Sequence, residues 1–145
     1  MHTSIHTLNQ LLSETFILYT KTLKFHWNVR GQNFGPLHAM FNANYLALQN
    51  QVDLIAERIR MHDELAAGTC TEFLANATIK ENPGVYPVDK EMLKELLADH
   101  RVVIAALKKA VDQFNKENAQ SDVDFATGLM QEHEKMAWFI RAHLE

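Results

Sequence analysis

Residues 37–59 read LHAMFNANYLALQNQVDLIAERI. Within them Leu37, Phe41, Tyr45, Leu48, Val52, Ile55 and Ile59 recur at intervals of three and four, the period of an α-helix that turns one face to a core. The same period precedes it in Ile5, Leu8, Leu12, Phe16, Tyr19 and Leu23. It returns in Leu93, Leu96, Val103, Leu107, Val111 and Phe114, and again in Leu129, Met136, Ile140 and Leu144. No stretch alternates at period two, so the chain is expected to be all-α with essentially no sheet. The glycines and prolines agree with this division. They cluster at Gly31–Pro36, Gly68 and Pro83–Pro87, and only Gly128 stands elsewhere.

Boundary residues refine the segments. Pro36 suits a first helical position, where a missing N–H costs nothing. Asp89 is placed to cap the helix holding Met92 and Leu93, and Ser121 with Asp124 resembles a capping box. Between the second and third long helices lie about 25 residues, long for a connection inside a bundle; within them Thr71–Asn76 has the makings of a short helix. Four long helices with one long central crossover is the arrangement of a ferritin-like bundle. The whole chain, residues 1–145, is expected to be one such domain.

Composition bounds the function. Of 145 residues, 14 are Lys or Arg and 18 Asp or Glu, a net charge of −4. That balance counts against simple coating of nucleic acid, which depends on cations displacing counterions from phosphate. The single cysteine, Cys70, excludes an internal disulfide framework and fits a reducing compartment. The longest apolar run, Val102–Leu107, is too short to span a bilayer, and no Lys or Arg precedes Lys21 to form a secretory n-region. A cytoplasmic protein is expected.

Several motifs are absent: a Gly-rich phosphate loop, H-E-x-x-H, paired cysteines, and the Glu-x-x-His pair of di-iron centres inside four-helix bundles. Four residues remain of interest. His26 lies near the end of the first helix and His38 near the start of the second, so a hairpin brings both to one end. Asp53 and Glu57 are four apart and share a face of the second helix. On a wheel of about 100° per residue counted from His38, Asp53 falls near 60° and Glu57 near 100°, whereas the apolar stripe spans about 260–340°. His38 and Asp53 are nevertheless about 22 Å apart along that helix, whereas ligands of one metal ion lie within about 2.5 Å of it. One chain cannot assemble the site. Two antiparallel copies of the second helix, about a two-fold axis near Leu46, bring His38 of one beside Asp53 and Glu57 of the other. On spacing alone the alternative readings are a solvated carboxylate face and structural histidines.

Particular wording adds to this. Phe25-His26-Trp27-Asn28-Val29-Arg30-Gly31, then Phe34, Leu37-His38 and Phe41, then Asp53-Leu54-Ile55-Ala56-Glu57-Arg58-Ile59 resemble the Dps family, the miniature ferritins named as DNA-binding proteins from starved cells. Gly68-Thr69, Thr78-Ile79-Lys80-Glu81 and His133-Glu134-Lys135 with Trp138 extend the resemblance over nearly the whole chain. It implies a hollow homododecamer that oxidises Fe(II), preferably with hydrogen peroxide, stores ferric mineral and protects against oxidative stress, without an organic cofactor. The implied iron ligands are His26 and His38 of one subunit and Asp53 and Glu57 of its two-fold partner, the set the spacing had singled out. Trp27 resembles the family's tryptophan beside the centre, a sacrificial electron donor, with interface packing as the alternative role.

Departures qualify the match. Asn42 stands one turn after His38, where many relatives carry Asp or Glu, and its neutral amide is a weaker iron ligand for a second metal position. His62-Asp63 replaces Leu-Gly after the second helix; His62 lies at about 240° on the wheel and reads as helix-end packing. His100 and His133 fall on apolar stripes and read as buried, hydrogen-bonded histidines. His2 and His6 are spaced to share a metal, or else belong to a frayed end. Asp122 and Asp124 match the acidic pores of relatives, with helix capping as the equal alternative. The family's DNA binding usually depends on a Lys-rich tail, whereas Met1–Asn9 holds no Lys or Arg, and twelve copies at −4 sum to −48. DNA binding is therefore not expected; a nucleoid-protecting protein with little iron chemistry is the rival reading.

Overall fold

The computed structural model describes the backbone from His2 to Glu145 and side chains from Ser4 onward. Its elements are α1 (His2–Asn28), α2 (Phe34–Met61), α3 (Cys70–Asn76), α4 (Asp89–Lys116) and α5 (Gln120–Leu144). No strand occurs among the described residues. The four long helices pair as two hairpins, α1 with α2 and α4 with α5, and α1 packs on α4 to close the bundle.

The stripes read from the sequence face the interior. Leu37, Phe41, Leu48, Ile55 and Ile59 of α2, Leu96, Val103, Leu107 and Phe114 of α4, and Leu129, Met136 and Ile140 of α5 are all buried. Helix α1 differs: of its predicted stripe it buries Ile5, Leu8 and Leu12, and beyond that stripe Leu11, Ile17, Leu18 and Phe25, in keeping with its packing on α4 and α3 as well as α2. Three α1 side chains strap down the crossover between α2 and α4. Glu14 accepts from the Thr78 N–H, from Thr78 Oγ1 at 2.9 Å and from the Ile79 N–H. Lys21 Nζ donates to the Lys80 carbonyl at 2.8 Å, and Lys24 Nζ to the Asn82 carbonyl at 2.9 Å. Lys21 also lies 2.6 Å from the buried Asp99 carboxylate of α4, so one cation ties α1, α4 and the crossover together. Burial raises the Asp99 pKa despite that lysine.

Three boundaries differ from the sequence reading. Pro36 is the third residue of α2, which starts at Phe34; its missing N–H still falls among the unpaired amides of a first turn. Asp89 is the first residue of α4, not its cap; Val88 occupies the cap, and Asp89 Oδ1 accepts from the Lys90 N–H. The Ser121/Asp124 box does not form, since α5 begins at Gln120 behind Ala119 with no side-chain cap. A true capping box sits instead at α3, where Thr69 accepts from the Glu72 N–H and donates to Glu72 Oε1 at 2.7 Å. The α1–α2 turn needs Gly31, whose φ of +112° L side chains rarely adopt. No described helix is long and apolar enough to cross a membrane.

Candidate metal centre

The α1–α2 turn is short, so the end of α1 and the start of α2 lie side by side, and His26 and His38 meet there. Their rings stack with centroids 3.8 Å apart and planes 15° from parallel. Each is fixed by the other's backbone: His26 Nδ1 lies 2.8 Å from the His38 carbonyl, and His38 Nδ1 lies 2.7 Å from the His26 carbonyl. A carbonyl oxygen only accepts, so both Nδ1 atoms carry a proton. In the neutral rings both Nε2 atoms are then bare lone pairs, the form in which imidazole binds a metal. His26 is buried and His38 half-buried. Phe34 stacks on His38 at 5.0 Å, and Tyr45 leans on His26 at 5.2 Å.

Asp53 and Glu57 are exposed, one turn apart, far along α2 from that pair. Their mutual hydrogen bond, then the charge of Asp53, raise the Glu57 pKa. Among the described residues neither carboxylate makes an ion pair within the subunit; Arg58 pairs with Asp122, and Arg60 donates to the Glu64 carbonyl. Asp53 lines a groove of about 850 Å³ whose walls include Tyr19, Leu46 and Val52. Among the described residues no three His, Cys, Asp or Glu side chains gather within one subunit as a metal site. The subunit thus carries two half-sites about 22 Å apart along one helix, one of neutral nitrogen donors and one of anionic oxygen donors.

The other singled-out residues divide clearly. Trp27 is 65% exposed and makes no ring contact with the histidines among the described residues. Asn42 is half-buried, one turn beyond His38. Asp122 is buried within the subunit, with Oδ1 2.7 Å from Arg58 Nε and 3.0 Å from His62 Nε2. Burial would raise its pKa, but the hydrogen bonds of His62 and Arg58 outweigh burial and lower it. His62 is the C-cap of α2. Asp124 is exposed. His6 is exposed, and the His2 side chain lies outside the described residues. His100 and His133 are fully buried and bonded through their Nδ1 atoms at 2.9 Å, with His133 Nε2 2.8 Å from Gln51 Oε1.

Comparison with known proteins identifies the family. The ferritin-like domain family matches residues 5–145. A low temperature-induced protein of Nostoc is 39% identical over 142 residues, covering 97% of this chain and 79% of that one. The DNA protection during starvation protein 2 of Bacillus anthracis is 31% identical over 141 residues, covering 97% and 95%. The chain belongs to the Dps family of ferritin-like proteins. Among solved structures, the Dps proteins of Bacillus brevis and Staphylococcus aureus each superpose with a TM-score of 0.95 at 29% identity; the first match covers 99% of this chain and 96% of that one, the second 100% and 97%. Dps membership carries iron storage in general as the activity, and oligomeric self-assembly as its setting.

Sequence reasoning had not seen the reciprocal histidine–carbonyl bonds or the Arg58–His62–Asp122 cluster. Neither leaves a signal in local spacing, because each joins residues that only the fold brings together. Tyr45 falls on the apolar stripe, so its spacing alone marks it as core.

Proposed function

We propose that this protein is a ferroxidase and iron store, built as a hollow dodecamer, whose oxidation centre lies between two-fold-related subunits. Its donors are His26 and His38 of one subunit with Asp53 and Glu57 of the other. The observation that carries this reading is the locking of both histidine Nδ1 atoms by backbone carbonyls, which leaves two Nε2 lone pairs at one end of α2, while the carboxylates toward the other end have no ion-pair partner among the described residues. Antiparallel pairing of two α2 helices joins complementary halves twice. Neutral imidazoles bind Fe(II), and carboxylates match the extra charge of Fe(III). Two Fe(II) ions held together give hydrogen peroxide two electrons in one event, forming two hydroxides and no hydroxyl radical.

Trp27, exposed at the same end as His26, fits packing at that interface; electron donation is its other proposed role. The single exposed Cys70 supports a reducing, cytoplasmic setting. Rates of Fe(II) oxidation with peroxide and with oxygen test the reading: Asp53→Ala and His26→Ala should each fall to the protein-free rate, and equal rates in wild type and both variants would discard the site. The negative charge of the subunit argues against DNA binding. A salt-sensitive plasmid shift would overturn that, and substitutions on the exposed α4 face, which carries Lys90, Lys94, Arg101, Lys108, Lys109 and Lys116, would then locate the contact.

A further inference from the structure

We propose that Tyr45, backed by Tyr19, supplies an electron at the His26/His38 end when peroxide meets a single Fe(II) ion. The inference rests on the ferroxidase reading above. The Tyr45 ring lies 5.2 Å from the His26 ring, centroid to centroid, and Tyr19 stands edge-on to Tyr45 at 6.2 Å. With His26 stacked on His38 at 3.8 Å, four rings form one path from the candidate ligands into the seam between α1 and α2. Phe34, the other ring on the pair, is much harder to oxidise than a phenol. Trp27, although adjacent to His26 in sequence, is not on this path.

Asn42 makes the single-ion case matter. One turn beyond His38 it offers a neutral amide and not a carboxylate, so a second Fe(II) is held less firmly and turnover with one ion becomes frequent. One Fe(II) yields one electron, and peroxide reduced by one electron splits into hydroxide and hydroxyl radical. Tyr45 completes the balance. Fe(II), hydrogen peroxide and the phenol become Fe(III), hydroxide, water and a tyrosyl radical. Fe(II) loses one electron, the phenol loses one electron and its proton, and the O–O bond breaks on taking up both electrons. The proton ends in the water formed. Tyr45 and Tyr19 are both half-buried, which shields the radical while leaving the phenol a route to solvent. Tyr19, of the same chemistry, lets the oxidised state move away from the ligands.

The test is freeze-quench electron paramagnetic resonance on the assembled protein, mixed with less Fe(II) than it has centres and with excess peroxide. A spin trap is run in parallel, and the Fe(III) formed is measured in every sample. Wild type should give a tyrosyl signal and little trapped hydroxyl radical. In Tyr45→Phe the signal should vanish, and trapped hydroxyl radical should rise toward one per Fe(II) oxidised. Trp27→Phe should retain the tyrosyl signal. An unchanged tyrosyl yield per Fe(III) in Tyr45→Phe, or a signal lost in Trp27→Phe instead, overturns the assignment. Iron oxidised by wild type with no tyrosyl signal overturns this inference alone. Failure of wild type to oxidise Fe(II) faster than buffer overturns the ferroxidase reading with it.

Discussion

Two inactive chains should restore each other. One carries His26→Ala with His38→Ala and lacks the nitrogen half-site; the other carries Asp53→Ala with Glu57→Ala and lacks the carboxylate half-site. Each alone builds dimers in which every centre misses one half. Mixed at random in equal amounts, the chains place about half of all dimers in the hetero state. The two-fold symmetry gives each hetero-dimer one centre with both halves intact and one with neither. About a quarter of all centres are therefore rebuilt, and the initial rate of Fe(II) oxidation should return to about a quarter of wild type. The assay is stopped-flow oxidation with peroxide on co-expressed assemblies purified through a different tag on each chain. A site contained within one subunit, or made of any other residues, predicts no rescue. A purified mixed assembly that oxidises iron no faster than its two parents refutes the inter-subunit centre.

Four further outcomes follow from the structure. Leu46 is 48% exposed near the expected two-fold axis; Leu46→Arg sets like charges against each other there, so sedimentation should show loss of the dimer and its iron oxidation with helix content retained. Thr69→Ala removes the side-chain cap of α3 and should cost about 1 kcal/mol locally, read as faster amide exchange across residues 70–76, where Phe73 stacks on Phe16 at 4.4 Å. Asp122→Ala strands Arg58, whose side chain is 19% exposed, and should lower stability by about 1–3 kcal/mol, less than for a fully buried pair, measured by urea denaturation. Burial holds His100 down at about 4, whereas an unfolded histidine titrates near 6.5. The unfolded chain therefore gains protons first, and stability should fall as pH drops from about 6.5 towards 4, by about 3 kcal/mol from His100 alone. Thermal midpoints across that range should lose this slope in the double variant His100→Leu/His133→Leu; an unchanged slope rejects the explanation.

The four long helices were legible because burial writes itself at a period of 3.6, and three of them carry that record cleanly. Helix α1 shows where periodicity stops helping. Leu11, Ile17 and Leu18 lie off its stripe yet are buried, because α1 packs against three other helices, so one stripe does not describe its buried surface. Helix starts were less legible, since Asp89 and Ser121 are good capping residues that the backbone places one or two positions inside the helix. At the candidate site, spacing alone paired Asp53 with Glu57 and set His26 near His38. It was silent on the main-chain carbonyls that fix the two rings, because every residue type carries the same carbonyl. Asp122 reads from sequence as pore-lining or capping; its contacts with Arg58 and His62 come from the end of α2, which the spacing of its own helix does not show.

The bundle interior of the subunit offers little to a metal ion. Gln51 Nε2 donates to the Glu132 carboxylate at 2.9 Å, so Gln51 Oε1 must face His133 and accept from its Nε2–H. A neutral His133 then has only a lone pair at Nδ1, and His100 Nδ1–H donates to it. The run of donors points outward to exposed Glu132 and leaves His100 Nε2 as one buried lone pair with no partner. Burial lowers the pKa of both imidazoles, so the chain stays neutral at ordinary pH. A divalent ion there would find one free nitrogen and little anionic charge, since neighbouring Asp99 is bound to Lys21, and would lack compensation for leaving water. Where a ferritin-like bundle can hold two metals among carboxylates, this one holds a neutral hydrogen-bonded chain. Asp53 and Glu57, the carboxylates of the proposed centre, lie instead on the exposed side of α2, where nitrogen donors from a second subunit would complete the set.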